Sequence, residues 1–365
     1  NNYKIGLNLS SKVNDYVKFN SRFIVGSQDN GGFASLGSKK ESGLDAQADV
    51  SLSNAYFGFT AIPNTVVNIG KQGLTTPYTV AVDINGNEQT GTGILALTTV
   101  GPVTAGLGYF NNTNLNKSSE INLTQDLGLK AFPNGANGVI NGGQDVYVAT
   151  VQGDLDFVKL EAWYLGHQEN FNTYTLAATS TIDLAENAKI GLEARYVNLK
   201  LKQDAADEIA NAVRNNPVPA VTDAETKNDM FRFAVDGKFS IVNARLAYTK
   251  TGKNGGLTAL DQDAKNTSLG WAITSNGAVD ADYFQAALGA DILDNLNFTL
   301  NYGNLKTDLN NSPVEFKNQE VYGQLTYKMS KNLTTYLRYG QFEEKLDSEK
   351  IVDQDAGRLQ VAYTF

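Results

Sequence analysis

Residues 359–365 read LQVAYTF, and in them Leu359, Val361, Tyr363 and Phe365 alternate with Gln360, Ala362 and Thr364, a register that continues back through Arg358. A period of two places successive side chains on opposite faces of a strand. One face of this segment is therefore apolar and ends in an aromatic ring. The same alternation recurs along the chain. Tyr3, Ile5, Leu7 and Leu9 interleave with Lys4, Gly6 and Asn8, and Val17, Phe19, Phe23 and Val25 with Lys18, Asn20 and Arg22. Phe231, Phe233, Val235 and Phe239 face away from Arg232, Asp236 and Lys238; Leu296, Phe298, Leu300 and Tyr302 interleave with Asn297, Thr299 and Asn301; Leu337 and Tyr339 oppose Tyr336 and Arg338.

The composition suits many strands joined by turns: 34 Gly, 17 Tyr and 17 Phe accompany only 7 Pro and 2 Met in 365 residues. No Pro-rich, Ser-rich or single-charge linker divides the chain, so residues 1–365 read as one domain. No run of eighteen apolar residues is present, which excludes a transmembrane helix but not a spanning sheet, whose lipid and lumen faces alternate. The chain has no cysteine, so disulfides and thiolate metal sites are excluded. Its formal charge of −9 argues against nucleic acid as a partner, since phosphate binding needs a basic face.

A soluble sandwich and a membrane barrel treat such strands oppositely. The sandwich buries its apolar face, whereas a large barrel gives that face to lipid and encloses the polar one. A C-terminal aromatic closing an alternating strand resembles the terminal signature of bacterial outer-membrane barrels. Aromatics near strand ends, among them Tyr16, Tyr109, Tyr248 and Tyr327, resemble interfacial girdles. Loop lengths point the same way. Short connections near 62–65, 100–102, 153–156, 185–187, 240–241, 293–295 and 329–332 alternate with long polar stretches at 27–45, 72–90, 112–143, 203–228, 252–280, 306–316 and 345–355; a short connection near 169–172 is the exception. Alternating short turns and long outer loops is what a meander through an outer membrane requires.

The expected fold is an all-β transmembrane antiparallel barrel with about seventeen strands in this chain. Bacterial single-chain barrels have even numbers, so about eighteen are expected in the complete protein, with a strand preceding Asn1 beside the terminal strand, or else an irregular closure.

At Ile69–Gln72 the sequence reads IGKQ, Ala81–Gly86 reads AVDING, and Gly91, Thr92 and Gly93 open the next strand. Together with the terminal strand and the loop plan, this resembles the major outer membrane porins of campylobacters and their relatives. The resemblance implies a homotrimer of barrels in the bacterial outer membrane, surrounded by its lipids and lipopolysaccharide, each barrel with an inward constriction loop, here at about 72–90. It also implies that Asp83 lies near the constriction, where calcium can bind. Asp261 and Asp263 match the other acidic partners, and Glu120 is a weaker match.

A pore of this size is too wide for its own side chains to fill, so ions and small hydrophilic solutes would diffuse through water. Selectivity then comes from the narrowest ring. The expected constriction sets Asp83 and Glu88 on the inward loop against the wall arginines Arg22, Arg195, Arg232, Arg245, Arg338 and Arg358. With the acidic residues in loops, weak cation preference follows. A substrate-specific channel and a structural or adhesive barrel are the alternatives. An enzyme is not expected: the sole histidine, His167, has no Gly-x-Ser-x-Gly sequence with it, and a strand-end packing role is the bland reading. Asp204 to Val213, with Ala205, Ile209, Ala212 and Val213 at helical spacing, predicts a short helix within a long loop.

Overall fold

The computed structural model describes residues 2–27, 31–36, 48–84, 86–114, 143–213, 222–308 and 315–365. Seventeen strands form one barrel: β1 Ile5–Asn14, β2 Val17–Gly26, β3 Asp49–Phe59, β4 Thr65–Gly73, β5 Thr90–Val100, β6 Val103–Thr113, β7 Val146–Leu155, β8 Val158–His167 and β9 Phe171–Ala185 lead the chain. They are followed by β10 Ala188–Leu201, helix α1 Gln203–Val213, β11 Lys227–Phe239, β12 Val242–Thr251, β13 Ala281–Leu293, β14 Leu296–Asp308, β15 Glu315–Lys328, β16 Leu333–Leu346 and β17 Glu349–Tyr363. Consecutive strands pair antiparallel throughout, for instance β16 with β17 through Leu337 opposite Leu359 and Arg338 opposite Arg358.

The ring closes between β17 and β1. With an odd count these two strands run in the same sense, the irregular closure that parity demands. All ten residues of β1 are exposed, unlike those of any interior strand. The strand expected before Asn1 is not among the described residues.

The turns explain themselves. Asn64, Asp156 and Ser240 adopt positive φ (59°, 56° and 53°) at the short connections, and Gly101 does so at 56°. Short polar side chains and glycine tolerate this left-handed region best. Glu169, also at positive φ, closes the tight β8–β9 hairpin on the long-loop side.

Burial on β9 decides between the two all-β architectures. Tyr174 and Leu176 are 44% and 54% exposed, while the alternating Thr173 and Thr175 are 1% and 0% exposed. The apolar face points outward and the polar face inward, the order lipid imposes and water would not. Leu246, Leu288, Leu300, Leu337 and Leu359 continue this outward apolar band.

The interior face is not purely polar. Val146, Val148, Leu165, Phe171, Val197, Leu199 and Met230 point inward and bury against Leu74, Tyr78 and Leu257 from two long loops. Each such side chain contributes roughly 1.5–3 kcal/mol by leaving water. Helix α1 joins this cluster. Asp204 sits in its first turn, Ala205 and Ala206 are buried, and Ile209 packs on the core. The helix predicted from spacing is therefore present, and it packs on the loop assembly rather than standing apart.

Candidate functional site: two inward loops and a charged wall

Two connections fold into the barrel. Residues 74–89 link β4 to β5, and residues 252–280 link β12 to β13. The first crosses the interior: Glu88 bonds to β2 and β3, while the Tyr78 hydroxyl accepts from Thr175 Oγ1 on β9 at 2.8 Å. The second lies along the wall of β9 to β15. Asn266 Nδ2 donates to Thr175 Oγ1 (2.7 Å), Arg195 donates to Asn266 Oδ1 (3.3 Å), and Glu320 on β15 accepts from the Trp271 and Ala272 amides (3.0 and 2.7 Å). Gly270 lets the backbone approach Glu320, for a Cβ there would collide with the carboxylate.

The loops also bind each other. Leu260 N donates to Tyr78 O, Asn266 N to Pro77 O, and Val80 N to Asp261 Oδ2, each at 2.9 Å; Gln89 donates to the other Asp261 oxygen. Buried backbone needs such partners. Here Asn, Thr, Ser and Asp side chains supply them, so a polar stretch can lie inside. The 252–280 segment reads as an ordinary outer loop in sequence, and its inward course is a correction.

Three charged groupings result. In the first, the Glu88 carboxylate receives Arg22 through two nitrogens (Nε at 3.0 Å, Nη2 at 3.1 Å), Ser53 at 2.8 Å and Lys4. Burial pushes the Glu88 pKa up, but the Arg22, Lys4 and Ser53 contacts outweigh it and hold the group below its ordinary value. Nearby, Asp83 closes its own turn, accepting from the Asn87 amide (2.8 Å) and side chain (2.6 Å).

In the second, Glu193 on β10 gathers the wall arginines. Arg195 Nε lies at 3.0 Å, Arg232 Nη2 at 2.6 Å and Arg245 Nη2 at 3.9 Å from its oxygens. Arg232 also donates to Thr267 O, Lys265 O and Ser268 Oγ, so it clamps the second loop. Arg245 pairs with Asp236 at 2.6 Å.

The third is Asp263, which stands by Asp83 across the loop junction. Burial, then the charge of Asp83, push its pKa up to about 6, against the pull of backbone amides including that of Ile84. Its Oδ1 is buried without a hydrogen-bond partner. Asp261 has both oxygens engaged, by Val80 and Gln89. Among the described residues no group of three or more His, Cys, Asp or Glu is gathered for a metal ion. Glu120 lies outside the described residues.

The remaining expected arginines stand apart. Arg338 is sandwiched by Trp271, Tyr322 and Tyr336, with ring centres 5.2, 5.1 and 5.4 Å away, and donates to Gln324; Glu88 meets Arg22 and not Arg338. Arg358 sits opposite Arg338 on the closing strand. Sequence reasoning missed Tyr78, Gln89, Asn266 and Trp271 as organisers of the site. The one local signal was an aromatic after Pro77 inside a polar loop. His167 is buried, stacked on Phe171 at 5.4 Å and turned to Asn170 and Gln168, neither a nucleophile nor an acid.

The family model described as Campylobacter major outer membrane protein matches residues 1–365. No curated protein sequence matches the chain significantly. Among solved structures, the outer membrane protein OprD from Pseudomonas aeruginosa is similar at TM-score 0.69 and 14% identity, over 99% of this chain and 88% of that one. OccAB3 of Acinetobacter baumannii is similar at TM-score 0.70 and 13% identity, over 99% and 91%. OccD3 (OpdP) of Pseudomonas aeruginosa gives 0.69 and 14%, over 98% and 85%. At these identities the structures share the barrel fold.

Proposed function

Since the chain belongs to the Campylobacter major outer membrane protein family and is a porin of the bacterial outer membrane, we propose that it passes ions and small hydrophilic solutes by passive diffusion, with weak cation preference and no catalysis. The observation that carries this reading is that carboxylates of the inward loops lie beside wall cations inside the barrel: Glu88 at Arg22 and Lys4, and Asp263 in a recess lined by Arg232 and Arg245. Fixed charges of opposite sign across a narrow water path set up a transverse field that orients dipolar solutes and opposes apolar ones.

Liposome swelling tests the reading. Neutral sugars should enter at rates falling steeply with size, and permeation at the rate of protein-free liposomes would reject it. A homotrimer is part of the proposal, tested by native mass in detergent against the mass after heating.

Calcium is proposed at one place. The orphaned Asp263 oxygen beside Asp83 suits a hard cation that takes oxygen ligands, and these two residues, without Asp261, would hold it and relieve their repulsion. Chelator should then lower the melting temperature; identical melting with and without chelator would remove calcium from the account.

A substrate-selective channel is the second reading. It is favoured by the second loop, which fills interior space that a pure diffusion pore leaves to water.

A further inference from the structure

Most charged groups of the barrel interior are engaged with one another. Arg195, Arg232, Glu88, Glu193 and Glu320 each have their donors or acceptors directed to named partners. One recess differs. Beneath the 252–280 loop, against β11 to β15, lies a cavity of about 320 Å³ that opens to the lumen. It is lined by Arg245, Lys265 and Asn301 and also by Asp263.

These four carry unused capacity. Arg245 gives Nη1 to Asp236, and its Nη2 lies 3.9 Å from Glu193, too far for a hydrogen bond. Lys265 is 3.8 Å from Glu161, with its side chain 66% exposed. Among the described residues the Asn301 amide has no hydrogen-bond partner, and Asp263 Oδ1 is buried without one. The other lining charges are settled: Arg232 holds the loop backbone, and Glu320 receives the Trp271 and Ala272 amides.

Two ion-paired cations with donors to spare and a carboxylate with one unpartnered oxygen, all lining one recess, call for a solute carrying both charges. We propose that this recess is a binding station for small zwitterions of the amino-acid class. The carboxylate lies against Arg245 and Lys265, the ammonium against Asp263, and the Asn301 amide meets a polar middle. At roughly 30 Å³ for each water-sized group, the cavity holds about ten non-hydrogen atoms. A simple anion would bring its charge towards Asp263, and a simple amine would bring its charge towards Arg245 and Lys265. Each is disfavoured at one end. The proposal deepens the channel reading and rests on it.

The test is current block in planar bilayers, recorded in KCl with chelator so that calcium does not occupy Asp263. L-Glutamine is the probe; glutaramate lacks its ammonium and 4-aminobutanamide its carboxylate. Saturable block by L-glutamine is expected, at least about tenfold tighter than by either half-charged analogue, since each end contributes a charge-assisted hydrogen bond. R245Q and K265Q should weaken L-glutamine block about tenfold while sparing the response to 4-aminobutanamide. D263N should weaken it while sparing the response to glutaramate. Lys265 is exposed, so K265Q reads the station even if R245Q does not fold. An open KCl channel with no saturable L-glutamine block overturns the station and leaves the porin reading intact. Block by glutaramate as tight as by L-glutamine also overturns it. Loss of all conductance in the unaltered protein overturns both.

Discussion

Replacing Glu88 with glutamine isolates the charge that ties the first inward loop to the wall. The change preserves shape but removes the charge and replaces one of the two oxygens that accept from Lys4, two Arg22 nitrogens and Ser53 with an amide donor. Lys4, Arg22 and Glu88 together then pass from a net charge of about +1 to about +2. For a monovalent ion passing at about 4 Å in water-like surroundings, one charge is worth about 1 kcal/mol, or about fivefold in permeability. Cation permeability falls and anion permeability rises by that factor, so the cation-to-anion permeability ratio of E88Q should fall by up to about 25-fold, read as reversal potential in a KCl gradient. The anchoring effect is separate. Breaking a buried, hydrogen-bonded pair costs about 3–5 kcal/mol, so amide exchange at residues 86–90 should rise while strand amides stay protected. Lys12→Gln, which removes a charge paired with Asp15 at a short turn, serves as control and should leave selectivity unchanged. An unaltered reversal potential in E88Q would refute the placement of Glu88 in the conduction path.

Acidification offers a second test. Asp263, pushed up to about 6 by burial and Asp83, takes a proton as pH falls from 7 to 5, whereas Glu88, held below its ordinary value, stays charged there. Cation preference should weaken across that window and D263N should flatten the change; a pH-independent reversal potential would contradict it. Asn266→Ala removes the side-chain bonds to Thr175 and Arg195 and keeps the backbone carbonyl that accepts from Thr258 Oγ1. A cost of about 1–3 kcal/mol in loop anchoring is expected, seen as faster proteolysis within 252–280 of the folded barrel, and unchanged cleavage would argue against the pin. Leu288→Arg places a charge on the lipid face at a central position of β13 and should cost about 2–4 kcal/mol in lipid refolding titrations; a cost below about 1 kcal/mol would mean that this face does not meet the bilayer.

The barrel was legible because lipid imposes a simple rule on every strand: alternate residues must be apolar whatever the loops do. Leu359, Val361 and Tyr363 obey it as plainly as Tyr174 and Leu176. Short turns were legible through Asn64, Asp156 and Gly101, residues that accept positive φ. The interior was less so. Val197, Leu199 and Phe171 interrupt the polar face where loops cover it, and a strand pattern alone does not say which inward positions a loop will reach. For the same reason Glu88 could be matched to an arginine by charge but not to Arg22 in particular. The course of 252–280 depends on Asn266, Asp261 and Thr175 meeting across long sequence separations, and polar residues of this kind look alike in an exposed loop and in a buried, satisfied one.

Single-channel recording in a planar bilayer tests the central claim most directly. Folded protein should insert in discrete steps whose conductance rises in proportion to KCl concentration without saturation, with a reversal potential on the cation side. Protein that migrates as a folded barrel yet gives no conductance steps would contradict the account.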